Sequence, residues 1–163
     1  MNKYVLLCVD DEREVLDSVL ADLDTLGDLF DIEAAQSVEE ARELLTEMQQ
    51  NQQQLALILC DHMMPGTQGV DFLVELNQDK THKAAKKLLL TGQAGLEATV
   101  EAVNHGGLDF YIAKPWQGDE LVAHVQELLT DFILENEPDL MRYARGLDAE
   151  KIFSAIHARR QSL

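Results

Sequence analysis

The sequence predicts an α/β fold: a doubly wound parallel sheet of five strands, followed by a short helical extension. Four short, nearly continuous apolar runs, at residues 4–9, 55–60, 87–90 and 110–113, and a fifth, weaker one at 29–34 support this, as expected of parallel strands covered on both faces. Between them, apolar residues recur at helical spacing. Strand and helix therefore alternate, which implies right-handed crossovers within one sheet.

The first run, residues 4–9, leads into a helix marked by Val15, Leu16, Val19, Leu20 and Leu23, with Gly27 as its stop. Residues 29–34 form a weaker second strand. Ser37, three residues before Glu40, has the spacing of a capping box, and Val38, Ala41, Leu44, Leu45 and Met48 line the helix it opens. The glutamine-dominated stretch 48–54 reads as a polar loop before the third strand. Val70, Leu73 and Val74 mark the third helix; Leu96, Val100 and Val103 mark the fourth, closed by Gly106-Gly107. After the fifth strand, Leu121, Val125, Leu128 and Phe132 make the stripe of a long helix that Pro138 ends or bends. Gly146 and Asp148 then read as a stop and a new N-cap, with Ile152, Phe153 and Ile156 as the apolar side of one more helix.

Composition narrows the function classes. The 163 residues carry 13 Lys+Arg against 30 Asp+Glu, a formal charge of -17, so electrostatic capture of nucleic acid or anionic lipid is not expected. At 46% hydrophobic residues the chain has the makings of a packed core. Cys8 and Cys60, its two cysteines, sit in apolar runs and read as small buried hydrophobes. With no signal peptide and no apolar run approaching the roughly 18 residues of a membrane span, the expected compartment is the reducing cytosol.

In such sheets ligands sit beyond the C-terminal ends of the strands, where strand order reverses. At those ends stand Asp10 and Asp11, Asp61, Thr91, and Lys114-Pro115. Three carboxylates meeting within about 4 to 5 Å would repel by on the order of 3 to 4 kcal/mol per pair, so the cluster calls for a cation. All-oxygen ligation without a Cys or His cluster suits Mg²⁺, an ion that commonly accompanies phosphate chemistry. None of His62, His82, His105, His124 and His157 has metal-ligand spacing; they read as surface or internally satisfied residues.

Together, Asp10-Asp11, Asp61 followed by Met64-Pro65 and Gly69, Leu90-Thr91-Gly92, and Tyr111 before Lys114-Pro115 closely resemble the receiver domain of two-component response regulators, over roughly residues 3 to 135. The resemblance implies a flavodoxin-like strand order 2-1-3-4-5. It also implies that Asp61 accepts a phosphoryl group from a sensor histidine kinase or a phosphotransfer protein. Asp11 and Asp61 would ligate Mg²⁺ directly, with the Met63 carbonyl as a further ligand and Asp10 acting mainly through water. His62, Gly92 and Lys114 would surround the phosphate, and Thr91 and Tyr111 would be the switch pair that repacks a face for a downstream protein partner. The chain would catalyse only its own phosphorylation and dephosphorylation.

Taken singly, each residue has a plainer reading: Asp10 or Asp11 as a helix cap, Thr91 as a turn hydroxyl, Tyr111 as a half-buried strand aromatic, Lys114 as a solvated strand end. Their co-occurrence favours the site. Two other classes stand beside this one: a Mg²⁺-dependent phosphatase or phosphotransferase acting on an external substrate, and a scaffold independent of phosphorylation. Where family members flank the path of attacking water, this chain has Met63 and Gln93. Met63 cannot orient water strongly, so a moderately long-lived phosphoryl group is expected. Residues 136–163 form a second region, expected to pack back on the receiver at 1–135 or to mediate homodimerisation. Residues 139–163 are basic, with five Lys+Arg against three Asp+Glu, while residues 1–138 hold 8 against 27.

Overall fold

A computed structural model describes residues 1–92 and 96–162. Among these residues the chain runs β1 (Tyr4–Val9), α1 (Arg13–Leu23), β2 (Asp31–Ala35), α2 (Val38–Gln50), β3 (Gln54–Cys60), α3 (Gly69–Gln78), β4 (Lys86–Thr91), α4 (Leu96–Asn104), β5 (Phe110–Ala113), α5 (Gly118–Asn136) and α6 (Ala149–Gln161). The five strands are parallel, in the order β2-β1-β3-β4-β5, a flavodoxin-like arrangement. Strand order therefore reverses between β1 and β3, whose ends carry the three aspartates.

Alternation along β1 divides the core into two. Tyr4, Leu6 and Cys8 face α1 and α5, whereas Val5, Leu7 and Val9 face α2 and α3. A register shift between Val5 and Leu6 leaves Ala56 as the extra residue of β3, so that Ala56 and Leu57 both join the α1/α5 layer. Burial pushes the Cys8 thiol up to about 12 and raises that of Cys60 as well, which fits two inert core residues. Lys87 is also buried, its Nζ donating to the carbonyls of Lys83 and Ala85.

Several boundaries differ from the sequence pattern. Ladder pairing of β2 begins at Asp31, because Leu29 and Phe30 follow a 3₁₀ turn and are core residues of a loop; apolar character alone did not make them strand. The stretch 48–54 is largely regular. The α2 helix continues to Gln50 with Met48 buried, and Gln54 already pairs with Tyr4, since glutamine is a good helix former. The Ser37 hydroxyl accepts from the Glu40 N–H at 3.1 Å, and the Glu40 carboxylate reaches back to the Gln36 N–H at 3.0 Å.

The α5 helix ends at Asn136, ahead of Pro138. The chain then returns beneath the sheet: Leu140 and Tyr143 are buried, and the Tyr143 ring lies 6.1 Å from Tyr4 and 5.7 Å from Phe30. Asp148 caps α6 by accepting from the Lys151 N–H, and Ile152 plugs α6 into the α1/α5 layer. Phe153, expected on the apolar side, is instead 50% exposed, because Ala155 and Ile156 complete the packed face. No helix among the described residues is long and apolar enough to cross a membrane.

Candidate functional site

At the C-terminal rim of the sheet, β1 ends before Asp10-Asp11, β3 before Asp61, β4 at Thr91 and β5 just before Lys114. One carboxylate oxygen from each of Asp10, Asp11 and Asp61 lies within 4.8 Å of the others. Asp10 and Asp61 are each only 3% exposed. Three hard oxygen donors at one point suit Mg²⁺ and give soft metals no sulfur or imidazole ligand.

Each side chain is fixed by its own loop. Asp10 Oδ1 accepts from the Glu12 N–H at 2.9 Å, which turns Asp10 inward as α1 begins. Asp61 Oδ1 accepts from the His62 N–H at 2.9 Å, while Oδ2 lies 3.6 Å from the Lys114 ammonium. Lys114 donates its short bond, 2.8 Å, to Asp10 Oδ2. It is followed by a cis peptide bond to Pro115. A Cβ at Gly69 would overlap the Asp61 carbonyl oxygen, so the loop after Asp61 requires glycine there.

Burial, then repulsion from Asp10, raises the Asp61 carboxyl above its ordinary value; Lys114, the Thr91 hydroxyl and the His62 N–H only partly compensate. For Lys114 burial opposes the charge, but the hydrogen bond and attraction of Asp10, helped by Asp61 and Glu12, hold it above the ordinary lysine value.

Asp61, Met63, Thr91, Gly92, Lys114 and Glu12 line one open cleft. Met63 is 53% exposed at its edge. Among the described residues, a Cβ at Gly92 would meet nothing closer than the Lys114 Cβ at 3.8 Å. Thr91 lines the cleft beside Asp61 and favours its ionised form, and the Tyr111 hydroxyl reaches the Thr91 carbonyl at 3.5 Å, linking β5 to the rim. The His62 imidazole is buried and turned toward Val70, whose N–H it accepts at 3.4 Å; its backbone N–H, not its ring, bonds Asp61. Gln93 lies outside the described residues.

Two contributors had no sequence signal. Glu12 lies 4.0 Å from Lys114, and Trp116 Nε1 donates to Asp22 at 2.8 Å, tying the loop after Lys114 to α1. Both depend on pairings between elements that spacing along the chain does not disclose.

The sequence profile of the family described as "Response regulator receiver domain" matches residues 6–126. The hydrogenase transcriptional regulatory protein HoxA of Cupriavidus necator is 34% identical over 122 residues, which is 75% of this chain and 23% of HoxA. Response regulator Rre1 of Synechocystis sp. is 35% identical over 125 residues, 76% of this chain and 51% of Rre1. This chain thus spans about half or less of these two relatives. A CheY-like receiver domain protein from Methanospirillum hungatei superposes with a TM-score of 0.69 at 29% identity, covering 83% of this chain and 100% of that one.

Proposed function

This chain belongs to the response regulator receiver family, and from that premise we propose that Asp61 accepts a phosphoryl group from a phosphohistidine on a histidine kinase or phosphotransfer protein. The observation that carries the proposal is the convergence of Asp10, Asp11 and Asp61 within 4.8 Å, beside the ammonium of Lys114. Asp61 Oδ1 is held by the His62 N–H, which leaves Oδ2 as the nucleophile. An Oδ2–P bond forms as the P–N bond of the donor breaks; the imidazole leaves with the electron pair and is protonated.

Asp11 and Asp61, with Asp10 and the Met63 carbonyl, would hold Mg²⁺. The bound ion would offset the carboxylate charge and stabilise the phosphoryl oxygens. Lys114 then exchanges part of its contact with Asp10 for the new phosphate. The Gly92 N–H and the Thr91 hydroxyl close on the phosphate oxygens, and Tyr111 follows Thr91 inward, repacking the surface around β5 for a downstream protein.

Incubating the full chain with acetyl phosphate and Mg²⁺, then measuring intact mass, tests this. One added phosphoryl group on the wild type, absent from Asp61→Asn and absent under chelation, is the expected result. No adduct on the wild type, or many turnovers of a phosphoester without one, would overturn it.

A further inference from the structure

The family match ends at residue 126, so the surface built by α6 and the turn before it lies outside the matched residues. There, Pro138, Leu140, Met141 and Ile156 floor a cleft of about 210 Å³ whose charged rim is Arg159, Arg160 and Asp139. Met141 is 57% exposed, and Phe153 lies on the same helical face as Arg160, seven residues away.

The two arginines differ in state. Arg159 donates to the carbonyls of Leu134 and Glu137, capping the last turn of α5; it is held rigid, and carbonyl partners do not neutralise its charge. Arg160 makes no ion pair or hydrogen bond among the described residues, leaving its planar fork available to a carboxylate.

We propose that this cleft docks a short segment of a partner protein that carries carboxylates beside an apolar anchor. Charge selects the occupant. The charged rim lies in residues 139–163, which hold five Lys+Arg against three Asp+Glu, whereas the other residues hold 8 against 27. An acidic segment is attracted to the arginines of this rim, with the attraction confined to a Debye length of about 8 Å. Size selects a segment: about 210 Å³ admits an anchoring side chain, not a globular face. A second copy is disfavoured by repulsion between two bodies of charge -17. The neighbouring Tyr143 packs on Tyr4 at the start of β1, at the opposite end of the strands from the rim that carries Asp61. Docking therefore leaves the phosphoacceptor rim accessible and does not depend on phosphorylation.

The test is selection of a displayed library of short random peptides on the full chain, followed by binding measurements on synthetic versions of the enriched peptides. The expected peptides combine Asp or Glu with a large aliphatic or aromatic residue. Arg160→Glu and Met141→Asp, both exposed and expected to melt like the wild type, each weaken binding about tenfold or more, while phosphorylation at Asp61 is unchanged. Added salt weakens binding further. Failure to enrich peptides, enrichment without acidic residues, or binding unaffected by Arg160→Glu would overturn the proposal. So would light scattering that shows a wild-type dimer broken by Arg160→Glu, since the occupant would then be a second copy.

Discussion

Replacing Asp61 by Asn should stabilise the metal-free protein. With carboxylate oxygens within 4.8 Å, Asp10 repels the Asp61 charge by about 3.5 kcal/mol at an effective dielectric near 20, and half-buried Asp11 adds a screened share. Lys114, at 3.6 Å, returns about 4.6 kcal/mol. These nearly cancel, and burying the carboxylate then tips the balance against ionised Asp61 by about 2 kcal/mol. The raised Asp61 carboxyl agrees in sign. Asn keeps an oxygen for the His62 N–H and removes the charge. In chelator at neutral pH, Asp61→Asn should melt roughly 4 to 8 °C above wild type by circular dichroism. Because the folded pKa is raised, the neutral carboxyl favours folding at low pH, and that contribution is lost as pH rises through the folded value. The advantage of Asn should therefore shrink as pH falls toward the ordinary carboxylate value of 3.8. Added Mg²⁺ should raise the melting temperature of wild type much more than that of the variant. An equal or lower melting temperature for Asp61→Asn in chelator, or equal Mg²⁺ shifts, would refute the reasoning.

Other outcomes follow from the same geometry. Lys114→Met should slow phosphorylation by acetyl phosphate at least about tenfold, followed by mass spectrometry, since Asp10 and Asp61 lose their shared cation. Met63→Asn should shorten the lifetime of the phosphorylated form, measured as loss of the adduct with time, by placing a water-orienting amide at the cleft edge. Tyr143→Ala should cost about 3 to 4 kcal/mol in urea unfolding, because the ring is buried against Tyr4 and Phe30. His82 is held below its ordinary value of 6.5 mainly by burial, with Lys87 adding to the effect and Asp79 opposing it. Its contribution to stability is complete above that value and is lost as pH falls through the folded one, so His82→Leu should flatten the drop in urea midpoint below about pH 6.

The parallel sheet was legible because continuous apolar runs such as Leu6-Leu7-Cys8 and Leu88-Leu89-Leu90 are what burial on both faces demands. The rim residues were legible because a parallel topology delivers every strand end to one edge, so Asp10, Asp61, Thr91 and Lys114 could be grouped without knowing a distance. Pairings across elements were not. That Lys114 rests on Asp10 rather than Asp61, that Trp116 is tied to Asp22, and that Tyr143 fills the space between Tyr4 and Phe30 depend on loop paths that leave no periodicity. The same limit explains Leu29 and Phe30: apolar character reported their burial but not whether their backbone joined a ladder.

The most direct measurement locates the phosphoryl group. After reaction with acetyl phosphate and Mg²⁺, borohydride reduction of the acyl phosphate followed by peptide mass spectrometry should find the reduced product at Asp61. Reduction at Asp10 or Asp11, or a phosphoryl group on a hydroxyl side chain with Asp61 untouched, would contradict the account.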